Sequence, residues 1–315
     1  MLVLRRVLTE ATILVAFVLL AIFLSVTTPG FATTTNGLSI LLATSLIAVV
    51  AVGETFVVVT GGIDLSIGSN VALTGIITGL ALHAGMPVGL AVLLAMAFGG
   101  LIGLFNGVAV AYFGMNSFIV TLAMLAMARG LAFIVASGNT VFGFPQSFDD
   151  LGGSNFGPVP IAAIISLGIV AIGAFVLART VFGSNVYAVG GNREAARLAG
   201  IPVRETLLAA YVVSGALAGV GGVILTGRLD SAQPIAATGL ELNAIAAVVI
   251  GGASLFGGKG NIGGTLLGVL IIGLINNGLT LNNVQPFWVQ FIQGAVIFVA
   301  ALADSIGARR RGAVT

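Results

Sequence analysis

"GGIDLSIGSNVALTG", residues 61–75, carries a single formal charge, Asp64. Upstream of it, no Asp, Glu, Lys or Arg falls between Glu10 and Glu54, and downstream none falls from Leu65 to Ala128. A carboxylate set among glycines inside so much uncharged sequence makes sense only if the surrounding solvent is lipid. Charged residues make up 7% of the 315 residues and hydrophobic residues 58%, with a mean hydropathy of +1.18. An ordinary soluble domain has about 25% charged residues to clothe its surface. Several uncharged runs exceed the roughly 20 residues that a helix needs to cross a bilayer. Short alternating segments, the mark of a membrane β-barrel, are absent. The sequence therefore predicts an all-α, polytopic membrane protein.

Apolar runs broken by Gly, Pro or polar clusters give about ten spans, over 11–28, 38–60, 68–84, 88–112, 117–137, 161–178, 206–226, 242–256, 262–281 and 287–303. The eighth is short and rich in glycine. No cleavable signal peptide is expected, since the run after Arg5 and Arg6 is long for one. The Lys and Arg positions set the orientation. Arg5 and Arg6, the group Arg179, Arg193, Arg197 and Arg204, and the terminal "GARRRG" are expected in the cytoplasm. The loop 138–160, with Asp149 and Asp150 and no base, is expected outside. Ten spans with both termini inside satisfy these assignments and also place Lys259 inside, while Arg228 falls outside, against the rule. An internal inverted repeat is a further expectation. "GLFN" (103–106) precedes "SFIV" (117–120) as "GLIN" (273–276) precedes "PFWV" (286–289), in spans expected to run opposite ways, whereas "GGIDLSIG" (61–68) resembles "GGASLFGG" (251–258) without fitting that direction.

Gly61, Gly62, Gly68 and Gly75 disfavour a continuous helix through the opening stretch, since each costs up to about 1 kcal/mol against Ala. A break at membrane depth must face protein or a water-filled cavity. Asp64 would cap the helix that follows, with Ser66 as a local partner, or line a solute path. Glu54, ten residues earlier, is a charge within a span and so should face the bundle interior. Asn106 and Asn276 offer amides that suit sugar hydroxyls or interhelical hydrogen bonds. The candidate path residues are thus Gly61, Gly62, Asp64, Ser66, Glu54, Asn106 and Asn276. His83 and Trp288 read as interface residues, and no metal site is expected. The absence of cysteine excludes disulfides and thiolate metal sites. A net charge of +2 gives no reason to expect nucleic acid as a partner.

Residues 186–205 form a cytoplasmic loop with a different pattern, "VYAVGGNREAARLAGIPVRE". Asn192 is a good N-cap, Glu194 favours the first turn, and Gly200 with Pro202 ends a short helix. Ala195, Leu198 and Ala199 share one face, and Arg193 and Arg197 another. A small apolar stripe of that kind suits a partner's groove.

"GGIDLSIGS" (61–69), "GGNREAARLAGIPV" (190–203), "SAQPIAATGLELNAIAAVVIGG" (231–252) and "GGKGNIGGTLLG" (257–268) together resemble the permease subunits of bacterial monosaccharide ABC importers, the ribose type most closely. Two positions depart from the family pattern: Ala199 stands where Ser is common and Asn243 where Asp is. The resemblance implies a single permease domain over 1–315 in the bacterial inner membrane. It pairs with a second permease copy, homodimeric or homologous, a cytoplasmic ATP-binding subunit and a periplasmic sugar-binding protein. It also implies ATPase docking through Asn192, Arg193, Glu194, Ala195, Ala196, Gly200 and Pro202, with ATP and Mg on the partner and no cofactor on this chain. The sequence concurs on one point. "FGGKGN" (256–261) is not a phosphate-binding loop, because Ala253 and Gly260 stand where Gly and Ser or Thr are required. An ion-coupled secondary transporter using Glu54 and Asp64 is the alternative, and no catalytic constellation suggests an enzyme.

Overall fold

A computed structural model describes residues 2–309. Its helices are α1 (Leu2–Thr27), α2 (Thr34–Val59), α3 (Ile67–His83), α4 (Val88–Ala111), α5 (Ser117–Val135), α6 (Gln146–Gly153), α7 (Ile161–Arg179), α8 (Val181–Gly191), α9 (Arg193–Leu198), α10 (Val203–Leu229), α11 (Leu240–Ile250), α12 (Ile262–Leu281) and α13 (Pro286–Arg309). Two antiparallel pairs of two-residue strands join them: β1 (Val141–Phe142) with β4 (Ser231–Ala232), and β2 (Asn155–Phe156) with β3 (Val159–Pro160). Among the described residues, α2, α4, α5, α7, α10 and α12 are long and apolar enough to cross a membrane, and shorter apolar helices cover Ala11–Thr27, Ile67–His83, Leu240–Ile250 and Phe287–Val296. Arg5 and Arg6 fall inside α1 and not before it, and Arg310 and Arg311 of the terminal basic group lie outside the described residues.

α10 is the hub, packing against α2, α3 and α4. Its contact with α4 is made backbone to backbone. A Cβ on Gly99 would fall on the Gly215 carbonyl, one on Gly103 on the Tyr211 carbonyl, and one on Gly219 on the Ala95 carbonyl. Lipid offers no hydrophobic reward for bringing helices together, so small residues that let backbones approach closely supply the adhesion. The outward faces are apolar, as at Leu93, Leu101 and Phe105 on α4 and Ile172 and Phe175 on α7, all more than half exposed.

The turns sort into two groups. In one, Gly258 N–H donates to the Val59 carbonyl at 2.8 Å, the Tyr187 hydroxyl to Gly260 O at 2.7 Å, and Arg193 to Thr60 O at 3.4 Å. These bonds tie the end of α2 to α9 and to the 251–261 loop, and α8 to that same loop. In the other group, β1 pairs with β4, His83 meets Phe142 O at 3.2 Å, and Gly152 of α6 packs on Gly227 near the end of α10. Arg228, the exception to the charge rule, is exposed in the last turn of α10, where a cation complements the negative end of the helix dipole.

Two expectations need correction. The break in the opening stretch is confined to residues 60–66, and α3 runs unbroken through Gly68 and Gly75. Those two glycines serve packing: a Cβ would strike the Glu241 carboxylate and Ala237 O at the first, and the Thr226 hydroxyl at the second. The eighth span does not reach Phe256. α11 stops at Ile250 because Gly252, at φ +88, turns the chain, with its N–H bonded to Val249 O and that of Ala253 to Val248 O. α2 ends the same way at Gly61, φ +79, with bonds from Gly61 N to Val58 O and from Gly62 N to Val57 O. The two segments that match in sequence therefore share one helix-ending device, in a register shifted by one residue.

Candidate functional site

Asp64 sits at the centre of a buried polar knot between α2, α3, α4 and α10. Glu54 and Asn106 are 0% exposed, and Asp64, Ser66 and Ser214 are each 1% exposed. Because α2 ends in a tight left-handed turn at Gly61, the chain doubles back, and the Asp64 N–H reaches Glu54 Oε1 at 3.2 Å. Asp64 Oδ1 accepts from the Ser66 N–H at 3.0 Å and the Ser66 hydroxyl at 2.6 Å, and Oδ2 accepts from the Ser214 hydroxyl at 3.0 Å. Asn106 Nδ2 donates to Ser66 Oγ at 2.9 Å. Each carboxylate oxygen of Asp64 thus has a hydroxyl donor, the arrangement that makes a charge tolerable away from water.

Asp64 is therefore not the cap of α3. It closes a two-residue turn onto Ser66, the N-cap residue, whose own side chain makes no capping bond. Four expected path residues, Glu54, Asp64, Ser66 and Asn106, come together here. Gly62 is buried against the Tyr211 side chain, and Gly61 is exposed at the turn, facing Phe256 O and Gly257. Asn276 is elsewhere: its side chain accepts from Gln293 Nε2 at 2.9 Å, between α12 and α13.

Ser214 and Tyr211 were not singled out in the sequence. The available signal was weak: hydroxyl residues spaced i, i+3 on one face of an apolar span. Glu54 Oε2 and Asn106 Oδ1 take no protein donor among the described residues. No group of three or more His, Cys, Asp or Glu side chains that could hold a metal occurs among the described residues.

The second candidate region is α9 with its flanks. Asn192 Oδ1 accepts from Ala195 N at 2.9 Å, the expected cap. The helix closes on Gly200, φ +78, with Ile201 N bonded to Ala196 O at 3.0 Å, and Pro202 precedes α10. Ala196 is the buried residue of the turn, seated with Val189 and Leu207, whereas Ala195, Leu198 and Ala199 are exposed, Leu198 at 74%. The two arginines do not share a role. Arg193 turns inward to the Thr60 carbonyl, and Arg197 forks onto Glu194 at 2.6 and 3.0 Å. Hydrogen bonding from Arg197 holds the Glu194 carboxyl below the usual carboxylate range.

A family described as branched-chain amino acid transport system / permease component matches residues 36–301. The chain is 42% identical to the ribose import permease protein RbsC of Escherichia coli (strain K12), with 96% of this chain and 97% of that protein covered. It is 40% identical to the L-arabinose ABC transporter permease protein AraH of Azospirillum brasilense, covering 98% and 91%. It is 37% identical to the D-allose transport system permease protein AlsC of Escherichia coli (strain K12), covering 94% and 91%. No solved structure matches it.

Proposed function

From the premise that the chain belongs to the branched-chain amino acid transport system / permease component family, we propose that it is the membrane-spanning subunit of an ATP-driven importer for a small neutral sugar. The observation that carries this reading is similarity over nearly the whole chain to relatives named for ribose, arabinose and allose. Those matches are narrower than the family description, so the sugar is preferred to an amino acid. In this reading the protein crosses the bacterial inner membrane about ten times, with both termini and the Val59, α8–α9 and 251–261 turns in the cytoplasm. It pairs with a second permease and receives solute from a periplasmic binding protein. ATP and Mg act on a separate subunit that docks within residues 186–205.

Asp64 does not support the ion-coupled alternative, because both of its carboxylate oxygens are engaged in holding a turn. The test is reconstitution. ATP-driven uptake of labelled ribose, L-arabinose or D-allose is expected when the chain is combined with its ATPase and binding protein. A proton or sodium gradient across vesicles holding the chain alone should drive none. Uptake of leucine in preference to all three sugars would overturn the substrate class.

The loop carries its own prediction. Glu194→Lys replaces the exposed Glu194–Arg197 pair with two like charges, and Gly200→Val forces a β-branched residue to φ +78. Both should leave the amount of inserted chain unchanged, because Glu194 and Gly200 are themselves exposed. Both should reduce ATP-driven uptake and copurification of the ATPase by roughly tenfold, for which a loss of about 1.4 kcal/mol of docking energy suffices. Normal copurification and uptake in both variants would exclude α9 from coupling.

A further inference from the structure

Between α10 and α11 the backbone re-enters the body of the protein. It leaves α10 at Leu229 and pairs Ser231 and Ala232 with Phe142 and Val141. There it is level with the far part of α3, where Gly79 lies against Phe144 and Val141. At Ala237 and Glu241, however, it lies against Gly68, in the first turn of α3. The axis of α3 from Gly68 to Gly79 measures about 16 Å at 1.5 Å per residue, roughly half the apolar thickness of a bilayer. The chain has therefore descended to mid-depth without a helix, and α11 begins there, after Gly239 at φ +81.

A non-helical descent leaves carbonyls without intrahelical partners. Arg129 of α5 supplies them: its Nη1 donates to Pro234 O at 2.5 Å and Ala236 O at 2.7 Å. It is the only Lys or Arg between Arg6 and Arg179. A base within an apolar helix is costly, and here that cost is offset by fastening a strap. Behind the strap, Pro234 and Leu240 are buried. On its other side, Ile235 is 62% exposed, Leu242 45%, and Thr238 is exposed as well. Irregular backbone at this depth cannot face lipid tails, so its uncovered side must border protein or water.

We propose that the uncovered side of residues 233–242 lines the aqueous route taken by the solute, with Thr238 at its surface and Arg129 as the positioning residue that holds the strap from behind. The inference rests on the transport reading above and adds where the solute passes.

The absence of cysteine makes the test clean. Thr238→Cys, Ile235→Cys and, as a lipid-facing reference on α4, Leu93→Cys are each placed in the full chain and assembled in membrane vesicles with the ATPase and binding protein. Each is treated with a charged, membrane-impermeant methanethiosulfonate and, separately, with a lipid-soluble maleimide. Only a hydrated thiolate reacts readily, so the two strap cysteines should react with the charged reagent at least about tenfold faster than Leu93→Cys, and their modification should abolish uptake. Labelling no faster than at Leu93→Cys, with the thiol shown present after denaturation, would overturn the proposal. So would complete labelling that leaves uptake intact. Labelling is read whatever the cargo proves to be. Rapid labelling without sugar uptake would count against the transport reading alone, and sugar uptake with an unlabelled strap against this inference alone.

Discussion

Asp64→Leu should be nearly absent from the membrane and inactive, whereas Asp64→Asn should insert, survive purification and retain most of its uptake. The leucine removes the acceptor of three hydrogen bonds, from the Ser66 N–H, the Ser66 hydroxyl and the Ser214 hydroxyl. Hydrogen bonds to a charged group contribute about 1.5–3 kcal/mol each, and orphaned buried donors add their desolvation cost. The sum is several kcal/mol, against a total stability of about 5–15 kcal/mol for an ordinary domain. Asparagine keeps the size and an acceptor at Oδ1 for both Ser66 donors. Its amide nitrogen would donate to Ser214 Oγ, which can accept in place of donating. Membrane content, the thermal aggregation midpoint in detergent and ATP-driven uptake distinguish the outcomes. An asparagine variant that expresses normally but transports poorly would mean that the charge itself serves transport, and the turn-holding role would fail.

The second large effect is expected at the α4–α10 contact. Gly103→Val should depress the purified yield severely and lower the thermal midpoint more than any substitution on the lipid-facing surface. A Cβ there meets the Tyr211 carbonyl and the backbone of Val212, and backbone cannot rotate aside. The helices would have to move apart, and an apolar solvent provides nothing to draw them back. Overpacking typically costs about 1–3 kcal/mol, and an immovable neighbour places this case at or beyond the upper end. Separation would also carry Ser214, three residues beyond Tyr211, away from Asp64. Gly130→Ala is the matched control: no atom lies within 4 Å of the added methyl, and Ala in a helix gains about 0.5–1 kcal/mol over Gly. Equal stability of the two variants would refute close helix contact at Gly103.

Ten predicted apolar segments each correspond to a helix, because a lipid solvent writes its demand locally, as uninterrupted apolar runs. The capped α9 was equally legible, since Asn192, Gly200 and Pro202 act within a turn of where they stand. The unreadable features depend on distant partners. Gly68 and Gly75 look like helix breakers until Glu241 and Thr226 are known to press on them. Asp64 reads as a cap because Ser214, 150 residues away, is invisible to a local pattern. Asn106 and Asn276 are indistinguishable in sequence, yet only the first reaches Ser66. The descent of residues 232–239 lies hidden between two helices because its carbonyls are satisfied by an arginine on a third.

The joint beside α9 has a mechanical meaning. α9 bears on the bundle through two contacts, Ala196 in its apolar seat and Arg193 on the Thr60 carbonyl, and the adjoining end of α2 is tied in turn to the 251–261 loop by Gly258 on the Val59 carbonyl. Packed side chains have low compliance, so a load applied to α9 would be little absorbed by bending its connections. It would pass to the end of α2 as displacement. From there the rigid turn at Gly61 leads directly to Asp64. A more elastic joint would take up the same stroke as local strain and move nothing deeper. The stiffness of this contact, separately from the strength with which anything binds α9, would then set how much of each stroke becomes motion.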